Sequence, residues 1–146
     1  MATTPVKLKI EGKSTVREVA TFSMMFHQAT DNDGQVVDFP RGGKITMRLK
    51  ALNSGNTDLV CWMLDPKQAY DGEIIFTNTI DNKEMKRYEF KHAYCVDYHE
   101  YWEDDIYNAP LAHWEEITIS CEEINNGPMT FSYDWIKNSK THYTQR

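Results

Sequence analysis

Between Met85 and Trp102 the chain reads MKRYEFKHAYCVDYHEYW, and taking every second residue sorts it into two unlike sides. One carries Tyr88, Phe90, His92, Tyr94, Val96, Tyr98 and Trp102. The other carries Arg87, Glu89, Lys91, Ala93, Cys95, Asp97 and His99. Successive side chains on a β-strand point to opposite faces, so this pattern predicts a strand with one aromatic face, expected to pack inward, and one mostly polar face. Ordinary strands run about 5–6 residues. A strand this long must curve around a barrel, or outrun its own sheet and pair with another copy of the chain.

The rest of the sequence supplies partners. Val6, Leu8 and Ile10 alternate with lysines to give a first strand, and Gly12-Lys13 turns the chain. A second strand covers Val16–Phe26, with Val19 and Met25 blurring its alternation. Thr30–Gly43 is rich in turn formers and contains Pro40 and a double glycine; it reads as an extended loop, and loops of that length usually have a job. Ile45, Met47, Leu49 and Ala51 resume the alternation in a third strand. From Asn53 to Pro66 the period becomes helical. Asn56 or Thr57 can cap, Asp58 suits the first turn, and Leu59, Trp62 and Met63 form an apolar stripe. Glu73–Thr79 makes a fourth strand, Asp81-Asn82-Lys83 a turn, Glu103–Pro110 an acidic loop, and Ile117–Cys121 a further strand. Asn125-Asn126-Gly127-Pro128 breaks that strand, and Met129–Ile136 adds a short one before a polar tail.

Length and charge narrow the class. At 146 residues the chain fits one domain with a core of its own. A net charge of −6 argues against nucleic acid, whose phosphates need a basic face. No apolar run approaches the roughly 20 residues that span a bilayer, so membrane insertion is not expected. The start lacks a basic head followed by an apolar stretch, so no secretory signal is expected. Cys61, Cys95 and Cys121 are odd in number and scattered, which points to reduced thiols.

No catalytic constellation stands out. Cys95 and His99 would share a strand face but lie roughly 13 Å apart, too far for a thiol–imidazole bond. His27, His92, His99 and His113 show no ligand spacing that preorganises a metal, and Asp31-Asn32-Asp33-Gly34 lacks the register of a calcium loop. Gly42-Gly43 precedes a strand, so it forms no phosphate cradle at a helix terminus. Glu100, Glu103, Asp104 and Asp105 read as a solvated acidic cluster. The expectation is a protein without catalytic residues, metal or cofactor.

Several pieces in order nevertheless resemble a known family. They are the loop ending in Gly42-Gly43-Lys44-Ile45, Leu59 with Trp62-Met63 on the helix, and Gly72-Glu73-Ile74-Ile75-Phe76. Met85, Phe90 and Ala93-Tyr94-Cys95-Val96 follow, then Pro110 and Ile117-Thr118-Ile119-Ser120. Together they resemble the tube-forming Hcp proteins of type VI secretion systems, in the TssD-like branch, over roughly Lys7 to Gly127. The resemblance implies a mostly β chain: a small antiparallel β-barrel with one short α-helix, here residues 1–129; the 130–146 extension, a short strand and flexible tail by its own residues, lies outside the matching stretch. It also implies homo-hexameric rings that stack into a hollow tube, propelled by a contractile sheath, engaging spike and effector proteins. Assembly would be cytoplasmic, with export that needs no signal peptide.

Two surfaces follow as expectations. Asp31, Asp33, Arg41, Gly42 and Gly43 belong to the loop expected to touch the next ring. Phe22 and Met24 on the second strand, and Tyr98, Tyr101 and Trp102 at the far end of the long one, are expected at the lateral contact, because large aromatics are favoured at interface centres. The alternatives are a monomeric barrel with the aromatic stripe lining a small-ligand cavity and, behind it, a secreted hydrolase using the acidic loop.

Overall fold

Seven strands and one helix account for the regular structure of residues 5–52, 54–103, 112–133 and Trp135, which the computed structural model describes. In chain order they are β1 (Val6–Ile10), β2 (Arg17–Met24), β3 (Lys44–Lys50), α1 (Asp58–Leu64), β4 (Tyr70–Thr77), β5 (Glu84–Glu103), β6 (Ala112–Asn125) and β7 (Thr130–Ser132). All pairings are antiparallel. The order β3-β2-β1-β4-β5-β6 closes on itself because β3 also pairs with β6, from Lys44 opposite Ser120 to Lys50 opposite Trp114. A six-stranded barrel results, and closure leaves few open edges to protect. β7 pairs with Glu123–Asn125, the part of β6 that β3 leaves free.

The register gives the barrel two distinct ends. At one, β2 leaves and β3 enters, Val6 lies opposite Phe76, and β7 is added. The other holds Ile10, Leu49, Cys95 and α1, and beyond it β5 and β6 continue together to Glu103 and Ala112. The bore is filled by Leu8, Ile45, Met47, Leu49, Ile74, Ile117 and Ile119, all fully buried. The acidic loop after Glu103 lies outside the described residues, as does most of the tail.

Two irregularities in β5 correct the simple alternation. Phe90 and Ala93 both face inward, as do Cys121 and Ile124 on β6, so each strand skips a beat where β6 passes from β3 to β7. His92 sits at this point with φ +53°, its backbone N–H donating to Asp71 Oδ1 at 2.9 Å. A second slip, between Cys95 and Asp97, makes Val96 the extra residue and returns Tyr98 to the core side. Bulges of this kind re-aim side chains by one residue. His92, Tyr94 and Val96 therefore leave the face that holds Phe90, while Ala93 and Cys95 are buried in their place. For the same reason Cys95 and His99 do not share a face: the thiol is buried, and the imidazole lies edge-on to Trp114 outside. In β2, Ala20 is the extra residue, which is why Arg17 and Val19 face inward before it and Phe22 and Met24 after it.

Seven residues are too few for an isolated helix to persist in water, so α1 depends on its packing. Leu59 and Trp62 are buried, and the indole meets Tyr70 edge-on at 5.2 Å. Burial of a leucine is worth about 2 kcal/mol. Thr57 holds the cap position without a side-chain bond, and Asn56 Oδ1 accepts the Asp58 N–H at 3.0 Å instead.

Candidate assembly surfaces

The segment between β2 and β3 is an arm rather than an irregular loop. His27 and Arg41 exchange both backbone hydrogen bonds, at 2.8 and 2.7 Å, and Thr30 bridges to Val36. Asp31 organises the tip: its Oδ1 accepts the N–H groups of Asp33 and Gln35, both at 2.9 Å, and Gly34 takes the left-handed conformation at φ +82°. Asp33 is exposed beside it. Arg41 is at the base, where Nε lies 2.9 Å from Asp38 Oδ2. That hydrogen bond holds the Asp38 carboxyl below its ordinary range and raises Arg41. Val36, Val37 and Phe39 point into solvent, Phe39 with 78% of its surface free.

Gly42 and Gly43 lie at the root of the arm under the C-terminal segment. A Cβ on Gly42 would stand 2.6 Å from the Phe26 ring, and one on Gly43 2.9 Å from the Cys121 carbonyl, with φ +89° besides. Only glycine lets the backbone come so close. Tyr133 Oη accepts the Gly42 N–H at 3.0 Å and lies 3.2 Å from the Gly42 carbonyl. Phe26, Phe131, Tyr133 and Trp135 form an aromatic run, with centroids 4.9, 4.8 and 6.3 Å apart, that reaches His92 and Tyr94 on β5. Between arm and β7 an open apolar groove of about 590 Å³ is lined by Met24, Phe39, Tyr88, Ile124 and Met129.

At the opposite end, the face of β5 and β6 that continues from the core carries Tyr98, Glu100 and Trp102 beside Glu115 and His113. Trp102 is 57% exposed, and His113 Nε2 is 2.9 Å from Glu100 Oε2. The other face carries Tyr101, stacked on Trp114 at 5.0 Å, with the Arg48 guanidinium 4.1 Å from the same indole. Trp102 and Tyr101 thus open on opposite sides of one ribbon. Tyr98 is half-buried, and its hydroxyl donates to Glu115 Oε2 at 2.6 Å. Phe22 and Met24 sit far from these, inside the arm-end mouth, where Phe22 packs on Phe76 and Tyr88.

The alternation of the second strand assigns Arg17 to its polar face, with Thr21 and Ser23, and Glu115 carries no signal of a site; the structure corrects the first. Both are buried; Arg17 binds Glu115 and the Lys50 carbonyl, so the group joins β2, β3, β5 and β6. The legible signal was parity: Glu115 falls in step with Ile117, Ile119 and Cys121. Burial, followed by the Glu115 hydrogen bond, pushes the Tyr98 phenol well up. Desolvation raises Cys95 to about 11 and Cys121 to about 12, so neither thiol is activated. Among the described residues no group of His, Cys, Asp or Glu is placed to hold a metal, and no helix is long and apolar enough to cross a membrane.

Comparison with known proteins agrees with this architecture. None of the curated proteins matches the chain. Among solved structures, Hcp1 from Flavobacterium johnsoniae is 28% identical, with a TM-score of 0.76 over 88% of this chain and 98% of that one. Hcp1 from Salmonella typhimurium shares the fold at 15% identity, with a TM-score of 0.65 over 90% and 95% of the two chains. A sheath–tube complex of an extracellular contractile injection system, PVC, shares it at 15% identity and a TM-score of 0.53, over 91% and 92%. The family described as Hemolysin coregulated protein Hcp (TssD) matches residues 2–136, which contain the whole barrel with its arm and β7. On that match, the chain belongs to the Hcp (TssD) family.

Proposed function

We infer that this chain is a structural subunit of the inner tube of a type VI secretion system, six copies closing into a ring and rings stacking into a hollow tube. The family match over residues 2–136, laid on a closed barrel with an arm at one end, carries this conclusion. A ring needs unlike surfaces that meet head to tail around an axis, and a stack needs a top that differs from its bottom. The arm with its exposed Val36, Val37 and Phe39 gives one end a projection, and the β5–β6 ribbon gives the other its own.

Asp31 and Asp33 at the arm tip, with Arg41, Gly42 and Gly43 at its root, are assigned to contact between rings. Tyr98, Tyr101 and Trp102, with Phe22 and Met24, are assigned to contact within a ring, Trp102 offering the largest free apolar surface of these five. The role is architectural, without turnover. Assembly precedes export through the apparatus, with sheath and spike as partners and effectors as cargo. The monomeric ligand-binding alternative is disfavoured because side chains fill the bore. Negative-stain microscopy of the purified protein tests the inference: six-fold rings are expected, and a monomer at high concentration with no circular assemblies overturns it.

A further inference from the structure

The C-terminal segment ends its regular pairing at Ser132, yet it stays on the barrel to Trp135. Its anchors are specific. The Tyr133 N–H donates to the Glu122 carbonyl at 2.8 Å, and the Trp135 N–H to Glu122 Oε2 at 2.7 Å. The other carboxylate oxygen of Glu122 lies 3.0 Å from His92 Nδ1, and His92 Nε2 lies 3.4 Å from the Tyr94 hydroxyl. One carboxylate thus fastens the segment to β5 and β6 together, at the point where both strands step out of alternation.

The same segment reaches the arm through one side chain. The Tyr133 hydroxyl takes the Gly42 N–H and returns a hydrogen bond to the Gly42 carbonyl, closing a pair of bonds with a single residue at the arm's root. Phe131 packs on Phe26, the residue before the arm's first bridge, at 4.9 Å. Elsewhere arm and β7 stand apart, with the groove of about 590 Å³ between them. The arm's own closure, two isolated bridges and the Asp31 turn over some fifteen residues, orders it internally but not against the barrel. Its direction relative to the barrel is therefore set at the root, where the Tyr133 hydroxyl joins the Phe26–Phe131 contact and the bond from the Cys121 N–H to the Gly43 carbonyl at 2.7 Å.

We propose that residues 130–133 with Trp135 form a strap whose latch, Tyr133, sets the pose of the arm and thereby the readiness of a ring to stack. The stacking half of the proposal rests on the tube function inferred above; the latch does not. With the strap seated, the arm projects in one orientation and docks without losing conformational entropy at that moment. With the latch released, the arm swings about Met25 and Gly42, and stacking must first order it. Tyr133 is a positioning residue: it acts through Gly42 and need not touch the neighbouring ring.

The test is Tyr133→Phe, which keeps the ring with its edge-on contact to Phe131 and its stacking on Trp135 but removes the hydroxyl. Hydrogen exchange is followed on unstacked protein, and tube length by microscopy. Exchange is expected to rise about tenfold at Gly42, whose N–H loses its acceptor, and at Cys121, whose N–H donates to the Gly43 carbonyl beside it, the loss of roughly one ordinary hydrogen bond. The arm's internal pairs at His27, Val37 and Arg41 and the remaining barrel amides should keep their rates, and tubes should shorten while rings persist. Unchanged exchange at Gly42 and Cys121 overturns the latch. Faster exchange at the root with an unchanged tube-length distribution overturns its role in stacking. If the unsubstituted protein makes no tubes, the tube function and the stacking half fall together, and exchange still decides the latch.

Discussion

Arg17 Nη2 and Glu115 Oε1 stand 2.5 Å apart with 5% and 8% of their side chains exposed, an ion pair sealed into the wall of a small barrel. Breaking such a pair from one side leaves a buried charge without its counter-ion. Glu115→Ala should cost about 3–5 kcal/mol in urea unfolding. The double variant Arg17→Met, Glu115→Leu should recover most of that loss, since apolar replacement of both partners is often neutral. A double variant as unstable as the single would show that the pair is more than compensated desolvation.

Alkali should unfold the protein sooner than its charge alone would suggest. Cys95 and Cys121 rise from an ordinary 9.0 to about 11 and about 12, and Tyr98 rises further from 10.0. The folded chain holds these protons more tightly than the unfolded one, so their contribution is intact below about pH 9 and is lost as pH climbs through the folded-state values. Melting temperature followed from pH 8 to 11 should fall with a slope that steepens past pH 9–10, and Tyr98→Phe should flatten the upper part. A level profile would contradict the burial of these groups.

Gly43→Ala should lower stability by about 1–3 kcal/mol, from a left-handed backbone and a Cβ forced against the Cys121 carbonyl. Gly55→Ala, which meets open space, is the matched control and should be near neutral. Thermal melts of the two variants give the comparison directly.

Trp102→Glu should leave the barrel folded by circular dichroism, because the side chain is more than half exposed and lies beyond the packed bore. Native mass spectrometry should then show monomers in place of rings. Rings of unchanged size would move the lateral contact elsewhere.

Deletion of Asp31–Pro40 should keep the fold and abolish tubes. The excised residues lie outside the barrel, and the backbone pair of His27 and Arg41 brings the cut ends together. Circular dichroism would report the fold and electron microscopy the tubes; normal tubes would remove the arm from stacking.

Much of the barrel was legible because period-2 patterning is strong wherever one strand face is buried. β1 falls on Val6–Ile10 as its alternation indicates, and the helix lies where Leu59, Trp62 and Met63 place it. β6 is far longer than Ile117–Cys121 because Trp114, Glu115 and Glu116 read as polar or ambiguous, although Glu115 is an inward position made tolerable by Arg17. The reversal of β5 between His92 and Val96 was invisible, since an extra residue leaves no mark in composition and Ala93 and Cys95 look like weak members of a polar face. The order within the arm was equally hidden: backbone pairing at His27 and Thr30 owes nothing to apolar periodicity. Gly42-Gly43 stands out as a motif, but its reason lies elsewhere in the chain, in the Phe26 ring against Gly42 and the Cys121 carbonyl against Gly43.

The reversal in β5 has one more effect. For a few residues the longest strand turns its bulky aromatics outward and buries an alanine and a thiol in their place, on the strand that α1 packs against. The helix can then sink its Trp62 indole into the interior, while the displaced Tyr94 becomes a ledge outside beside which Trp135 comes to rest.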